Sequence, residues 1–399
     1  MPEALGALRE REFRLLFTGQ IVSLLGDSIT PLALAWAVLD LTHSAADLGY
    51  VIAAKTAPLV AFLLIGGVFA DRLPRRAVML SADVLRLCTQ GTVAVLLLSH
   101  HARIWELIVL QALAGTGSAF FNPASTGLTP MVVSEARLQQ ANALRGLSQA
   151  GAGILGPALS AALVTGVGPG YALAADAASF GVSAIFLAQL RLPAHIPLPP
   201  QSFLRDLHDG WREFVSRTWV WVIVVAASLG NMMGSVWFVL GASLVKARLG
   251  GAVAWALITG ANAAGSVGGG ILALRMKPTR PLRTAVIYLS PIMLPAAALA
   301  LVWPAWVIAI AALAGGLGGM IFNTLWETAL QQHVPREALS RVSAYDWFGS
   351  LLCQPIGLAT AGLVAGDIGV STTLWIVAGV QAAMTVAMFA TPSVRNLEA

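Results

Sequence analysis

Asp27 and Lys55 stand deep inside long apolar runs, where a formal charge is costly and by default implies function. Counted inward from the ends of their runs at about 1.5 Å per residue, they reach similar depths, so one buried ion pair is expected. Two roles stay open for it. The carboxylate could carry a proton and couple its movement to a change of state, or the pair could be static and pin the first apolar run to the second. Glu327 and Asp346 lie nearer the ends of later runs, where they could carry protons or join a surface charge network. Asp83 and Arg86, one helical turn apart, read as a local pair that supports packing. Arg103 and Glu106 read as interfacial.

Uncharged polar and aromatic residues inside the runs form a second group. The amides Gln111, Asn122, Asn231, Asn262 and Asn323 could line a polar cavity or hydrogen-bond between helices. Trp36, Trp237, Phe238 and Trp326 could stack an amphipathic molecule, whereas Trp105, Trp303, Trp306 and Trp375 fall near run ends and read as interface anchors. The histidines lie in or near polar breaks and form no HExxH pair, and no Walker A loop occurs, so neither a metallohydrolase nor a nucleotide-driven engine is expected. No cofactor and no metal site are expected.

The elements that position these residues are set by the solvent. Of the 399 residues 57% are hydrophobic and 11% charged, against about 25% charged in an average soluble domain. A helix crossing the hydrocarbon core needs roughly 20 apolar residues. Such stretches recur near 13–40, 46–70, 77–99, 104–130, 142–167, 171–192, 219–245, 252–274, 283–302, 305–332, 341–366 and 370–391. The expected fold is an all-α membrane protein of twelve transmembrane helices. Lys and Arg gather in alternate breaks, including Arg9 and Arg11, Arg72 to Arg76, Arg137, Arg205 to Arg217, Arg275 to Arg280, Arg336 and Arg395, while the opposite breaks hold only Arg103, Lys246 and Arg248. By the positive-inside rule both termini are expected in the cytoplasm. The net charge of +5 is confined to loops rather than gathered on one solvated face, so no nucleic-acid partner is expected. Cys88 and Cys353 fall inside spans and are expected to be packing residues, and the N-terminus lacks the pattern of a cleaved signal peptide.

The longest polar stretch, 193–218, is expected to be a cytoplasmic linker that begins extended at PAHIPLPPQ and continues as an amphipathic helix. It separates a first bundle, 1–192, from a second, 219–399. The halves carry a faint repeat: FNPASTGLTPMVVSEARLQQANAL at 121–144 aligns with FNTLWETALQQHVPREALSRVSAY at 322–345, and GGVFADR from Gly66 with GGILALR from Gly269. A parallel repeat of six-helix units fits a pseudo-symmetric transporter whose halves rock about a central site.

After the second span comes GVFADRLPRR, Gly67 to Arg76, which resembles the signature loop of the major facilitator superfamily, keeping Gly67, Asp71, Arg72, Arg75 and Arg76 and departing at Phe69 and Pro74. The opening FRLLFTGQIVSLLGDSITPLAL and the later VPREALSRVSAYDWFGS resemble the branch with enterobactin exporters and macrolide-efflux proteins. GILGPALSAA in the fifth span resembles the antiporter motif of drug exporters, with Gly156 and Pro157 present but Ser160 and Ala161 where two glycines are usual. QALAGTGSAFFNPA resembles a further family motif, with Gln111 where drug–proton antiporters commonly have arginine. The resemblance implies that Asp71 latches onto the cytoplasmic N-terminus of the eleventh span, near Arg341, where a carboxylate is favoured by the helix end; alternatively its arginines only enforce topology. It implies secondary active export of small amphipathic organic compounds, such as a drug, siderophore or secondary metabolite, across the bacterial inner membrane. Protons are the expected coupling ion, the lipid bilayer the surrounding partner and a monomer the expected state. An importer or uniporter on the same fold is the first alternative, and a membrane enzyme or assembly subunit the second.

Overall fold

The computed structural model describes residues 3–134, 137–192, 211–273, 275–276 and 278–398; side chains at 3–5, 63–72, 127, 138–139, 142–143 and 336–341 lie outside the description. The described elements are helices, as they must be in hydrocarbon, where an unbonded backbone N–H or C=O has no water to turn to. In chain order they are α1 (Arg11–Thr42), α2 (Ala45–Arg72), α3 (Arg75–Leu98), α4 (Ile104–Leu128), α5 (Leu138–Gly166), α6 (Pro169–Ala188), α7 (Thr218–Arg248), α8 (Gly251–Ala273), α9 (Pro281–Leu289), α10 (Leu294–Ala300), α11 (Ala305–His333), α12 (Arg336–Leu351), α13 (Gln354–Ile368), α14 (Val370–Ala390) and α15 (Pro392–Arg395). Among the described residues, twelve segments are long and apolar enough to cross a membrane.

Among the described residues, two of the spans are broken. The ninth is α9 and α10 joined by a 3₁₀ turn over Ser290–Met293, because Pro291 and Pro295 each remove a helix N–H. The eleventh breaks at Leu352 and Cys353, where the ring of Pro355 would meet the carbonyl one turn back. At the start of α4 the backbone N–H of Arg103 donates to Glu106 Oε2 at 2.9 Å, so Glu106 closes the helix end. Cys88 corrects the packing expectation: it is exposed on α3, while Cys353 is half-buried at the break.

The chain forms two compact units, Met1–His43 with Tyr50–Pro199 and Ser44–Gly49 with Pro200–Ala399. Residues 193–210 of the expected linker lie outside the described residues. In the first unit α1 packs against α5 and α6, and α3 against α4 and α6; Phe13, Leu16, Met79, Leu128 and Leu187 share its core. In the second, α11 packs against α8 and α9, and α7 against α13 and α14, around Val220, Ile223, Leu282 and Leu330.

Lipid tails are as apolar as leucine, so helices associate where small side chains let backbones approach. Gly265 and Gly269 of α8 abut the carbonyls of Leu313 and Leu317 on α11, and Gly316 of α11 abuts the carbonyl of Asn262. In the first unit Gly156 of α5 faces Ser28 of α1, where a Cβ would lie 2.9 Å from the Ser28 carbonyl oxygen and closer still to its Cβ. One turn on, the Ser160 hydroxyl donates to the Ile29 carbonyl at 2.7 Å. Gly156→Ala is therefore expected to cost about 1–3 kcal/mol by forcing α5 off α1. Gly151→Ala, on the same helix with nothing within 4 Å, should be neutral or gain up to about 1 kcal/mol. Thermal unfolding of the two purified variants in one detergent checks the order.

Candidate functional site

The charged residues of the first unit lie in stripes. On α3, Asp83, Arg86 and Gln90 follow one another at i, i+3 and i+7; on α6, Asp176, Ser179 and Ser183 do the same; on α1, Asp27 and Thr30 are one turn apart. Helical geometry puts each set on one face, and the packing of α3 and α1 on α6 turns those faces inward.

The stripes meet as an alternating chain of charge. Lys55 Nζ lies 3.9 Å from Asp27 Oδ1, Arg86 Nη1 lies 3.5 Å from Asp27 Oδ2, and Arg86 is also paired with Asp83. Burial divides the chain in two: the Arg86 and Asp83 side chains are 4% and 0% exposed, whereas Asp27 and Lys55 are 34% and 26% exposed. The guanidinium carbon of Arg86 is 4.2 Å from the Phe121 ring centroid and 4.3 Å from that of Phe180, so aromatic faces take the place of water around it. Asp83 and Arg86 are thus more than a local pair on α3, because Arg86 ties α3 to Asp27 on α1.

A neutral chain runs beside the charged one. Gln111 donates from Nε2 to Gln90 Oε1 at 2.8 Å, and Gln90 Nε2 and Thr30 Oγ1 donate to Asp176 Oδ2 at 2.8 and 2.6 Å. Gln111 and Asp176 are fully buried. Gln111 therefore bonds helix to helix, and Asp176 is a buried carboxyl held by neutral donors. Sequence reasoning missed Asp176; its signal is the polar stripe in an otherwise apolar α6.

Asp27 and Arg86 open onto a cleft of about 610 Å³, open solvent included. Phe17, Ile21, Leu24 and Phe121 supply its apolar wall, and Gln20, Asn122, Ser125, Arg145 and Gln149 its polar one. Of the amides singled out in the sequence, Asn122 lines this cleft. Trp36 is buried at 6% exposure in the first unit.

The second unit treats its candidates differently. Asn231 and Asn262 donate to the carbonyls of Ser350 and Ala312 at 2.9 and 3.1 Å, bonding helix to helix. Trp326, 5% exposed, stacks edge-on to Trp219 and donates from Nε1 to Asp346 Oδ2 at 3.1 Å. Asn323 and Glu327 are exposed one turn apart, 3.5 Å between Nδ2 and Oε1. Trp237 and Phe238 both pack on Trp255, with ring centroids 5.2 and 5.6 Å away.

The sequence profile of the Major Facilitator Superfamily matches residues 16–357. The chain belongs to that superfamily. It is 28% identical over 379 residues to the multidrug efflux pump Tap of Mycolicibacterium fortuitum, covering 87% of this chain and 88% of that protein. It is 22% identical over 367 residues to macrolide efflux protein A of Streptococcus pyogenes, covering 90% and 91%. Among solved structures, a POT family transporter in complex with 5-aminolevulinic acid superposes with a TM-score of 0.75 at 11% identity, covering 96% of this chain and 97% of the other. The nucleoside transporter NupG superposes at 0.68 and 15%, covering 94% and 98%. These structures share the fold.

In this superfamily member the signature loop is described in part. The side chains of Gly67, Asp71 and Arg72, and of Arg341, lie outside the described residues. Arg76 donates from Nε to the Leu187 carbonyl at 2.9 Å and from Nη2 to the Ala188 carbonyl at 2.5 Å. A cation on the last carbonyls of α6 satisfies acceptors that the helix leaves free and opposes the end of its dipole. Arg75 lies against Met131, with 3.6 Å from Nη1 to Sδ.

The burial gradient along the charge chain sets an order of stability. Arg86→Gln strands Asp83 and should cost about 3–5 kcal/mol. Lys55→Met removes a long, partly solvated pair from a carboxylate that keeps Arg86, and should cost no more than about 1 kcal/mol. Equilibrium unfolding in mixed micelles reads both; equal losses would mean that Lys55 contributes as much to the charge chain as Arg86 does.

Proposed function

We propose that this transporter exports small amphipathic organic compounds by alternating access and that protons drive it through Asp27. The observation that carries the reading is the position of Asp27, a one-third-exposed carboxylate between two cations at the edge of a cleft with apolar and amide walls. Protonating it removes the anion between Lys55 and Arg86 and leaves Lys55 uncompensated, while Arg86 keeps Asp83. A changed charge balance of this kind biases a two-state protein towards one state. The near full-length match to a multidrug efflux pump and a macrolide efflux protein supports the outward direction. The gathering of Lys and Arg in alternate polar breaks supports a bacterial inner-membrane topology with both termini and the 193–218 linker in the cytoplasm.

Two measurements test this. Cells expressing the protein should accumulate less of a fluorescent amphipathic dye than cells without it, and collapsing the proton gradient should abolish the difference; higher accumulation with the protein would reverse the direction. The double variant Asp27→Asn, Lys55→Met should insert and bind dye, yet fail to concentrate it in proteoliposomes under an imposed pH gradient. Normal pH-driven transport by that variant would leave the pair a structural role.

For topology, His208→Cys in a background where Cys88 and Cys353 are replaced should be labelled by a membrane-impermeant maleimide in lysed cells and not in intact ones. Labelling from outside would invert the assignment.

A further inference from the structure

Arg145 is a cation of the cleft whose charge no carboxylate among the described residues cancels. It lies in the second turn of α5, at the start of the apolar stretch Leu144–Gly166. Its partners are hydroxyls: Nη1 donates to Thr129 Oγ1 at 2.6 Å and Nη2 lies 3.4 Å from Ser125 Oγ. Both hydroxyl residues are buried, and Ser125 Oγ also accepts from Gln20 Nε2 at 2.6 Å, so α1, α4 and the turn that follows α4 together fix where the guanidinium sits. Asp27, Asp83 and Glu10 pair with other cations, and among the described residues no carboxylate lies within ion-pair distance of Arg145.

A guanidinium has five N–H donors in a rigid fork suited to a carboxylate. Neutral hydroxyls use two of them here, which positions the group without neutralising it. The remaining donors belong to a side chain that lines the same cleft as Asp27, Gln20, Asn122 and Gln149. A cleft with a fixed cation that no described carboxylate cancels, and a separate acidic group, is complementary to a molecule that carries an anion of its own.

We propose that Arg145 is a substrate-binding residue that takes the carboxylate of an amphipathic cargo, and that the cleft favours zwitterionic or acidic compounds over their esters. This rests on the export reading for the identity of the ligand as cargo, but binding can be measured without transport. Thr129 and Ser125 act as positioning residues for Arg145, and Gln20 holds Ser125.

The test uses the full chain in nanodiscs of zwitterionic lipid and two probes, a xanthene dye with a free carboxylate and the methyl ester of the same dye. Fluorescence anisotropy should show the acid binding about tenfold more tightly than the ester to the unaltered protein, as charge-assisted fork contacts are among the stronger ones. In Arg145→Gln the two dyes should bind equally. In Arg145→Lys, which keeps the charge and loses the fork, a reduced preference should remain, and this variant also guards against misfolding of the first. Ester binding unchanged in Arg145→Gln certifies an intact cleft. An unaltered protein without preference, or a preference that survives in Arg145→Gln, overturns the proposal. If cells accumulate rather than export the dyes while the acid preference depends on Arg145, the export reading fails and the binding site stands.

Discussion

The ion pair between Arg86 and Asp83 is the constraint on which the first unit depends. A guanidinium taken out of water loses several kcal/mol of solvation even after relaxation, and the protein replaces that shell from four helices. Asp83 on α3 supplies the nearest countercharge, Asp27 on α1 a second, and the rings of Phe121 on α4 and Phe180 on α6 close the two faces. The pair with Asp83 forms within α3, but the contacts with Asp27, Phe121 and Phe180 require α1, α4 and α6 to be packed around α3, so one side chain specifies how that set of helices is rotated. The consequence reaches function. Because Asp83 is fully buried and always at hand for Arg86, Asp27 is a surplus carboxylate, and its protonation does not leave the arginine alone.

The two units use polar groups for different ends. In the first, side chains bond other side chains across helices: Gln111 to Gln90, Gln90 and Thr30 to Asp176, Gln20 to Ser125. Such networks place groups relative to one another and can change with protonation. In the second, Asn231 and Asn262 bond backbone carbonyls of neighbouring helices, and glycine faces lie on carbonyls across the α8–α11 contact. Those bonds do not titrate. The second unit also holds a carboxylate, Asp346, which accepts from Trp326 Nε1, but the network that opens onto the cleft belongs to the first.

How much of this was legible in the sequence follows from what a linear pattern encodes. Twelve spans were legible because length and apolarity are properties of the chain alone, and the helix breaks at Pro291, Pro295 and Pro355 were written there as well, though an apolar run hides them. The depth of Asp27 and Lys55 could be counted because rise per residue is constant. Depth gives one coordinate and leaves rotation about the helix open, so Arg86 read as a partner of Asp83 on its own helix and its reach to Asp27 was invisible. Asp176 was passed over for the same reason: its meaning lies in Thr30 and Gln90, which are remote in sequence. The arginines of the signature loop read as topology signals or as parts of a latch, whereas Arg76 binds the last carbonyls of α6, a partner over a hundred positions away that no local pattern announces.

Arg145 shows why satisfied and neutralised are separate conditions. Hydrogen bonds to Thr129 and Ser125 fill two donor positions and hold the side chain, which lowers the entropy cost of any later contact. They leave the net charge in place. A carboxylate in their position would have held the side chain equally well and would have abolished its attraction for an anion, as Asp83 does for Arg86. The same residue type therefore does opposite things in one unit. The difference is set by what lies within reach: α3 itself gives Arg86 an acid one turn away, whereas α4 and the turn that follows it give Arg145 hydroxyls.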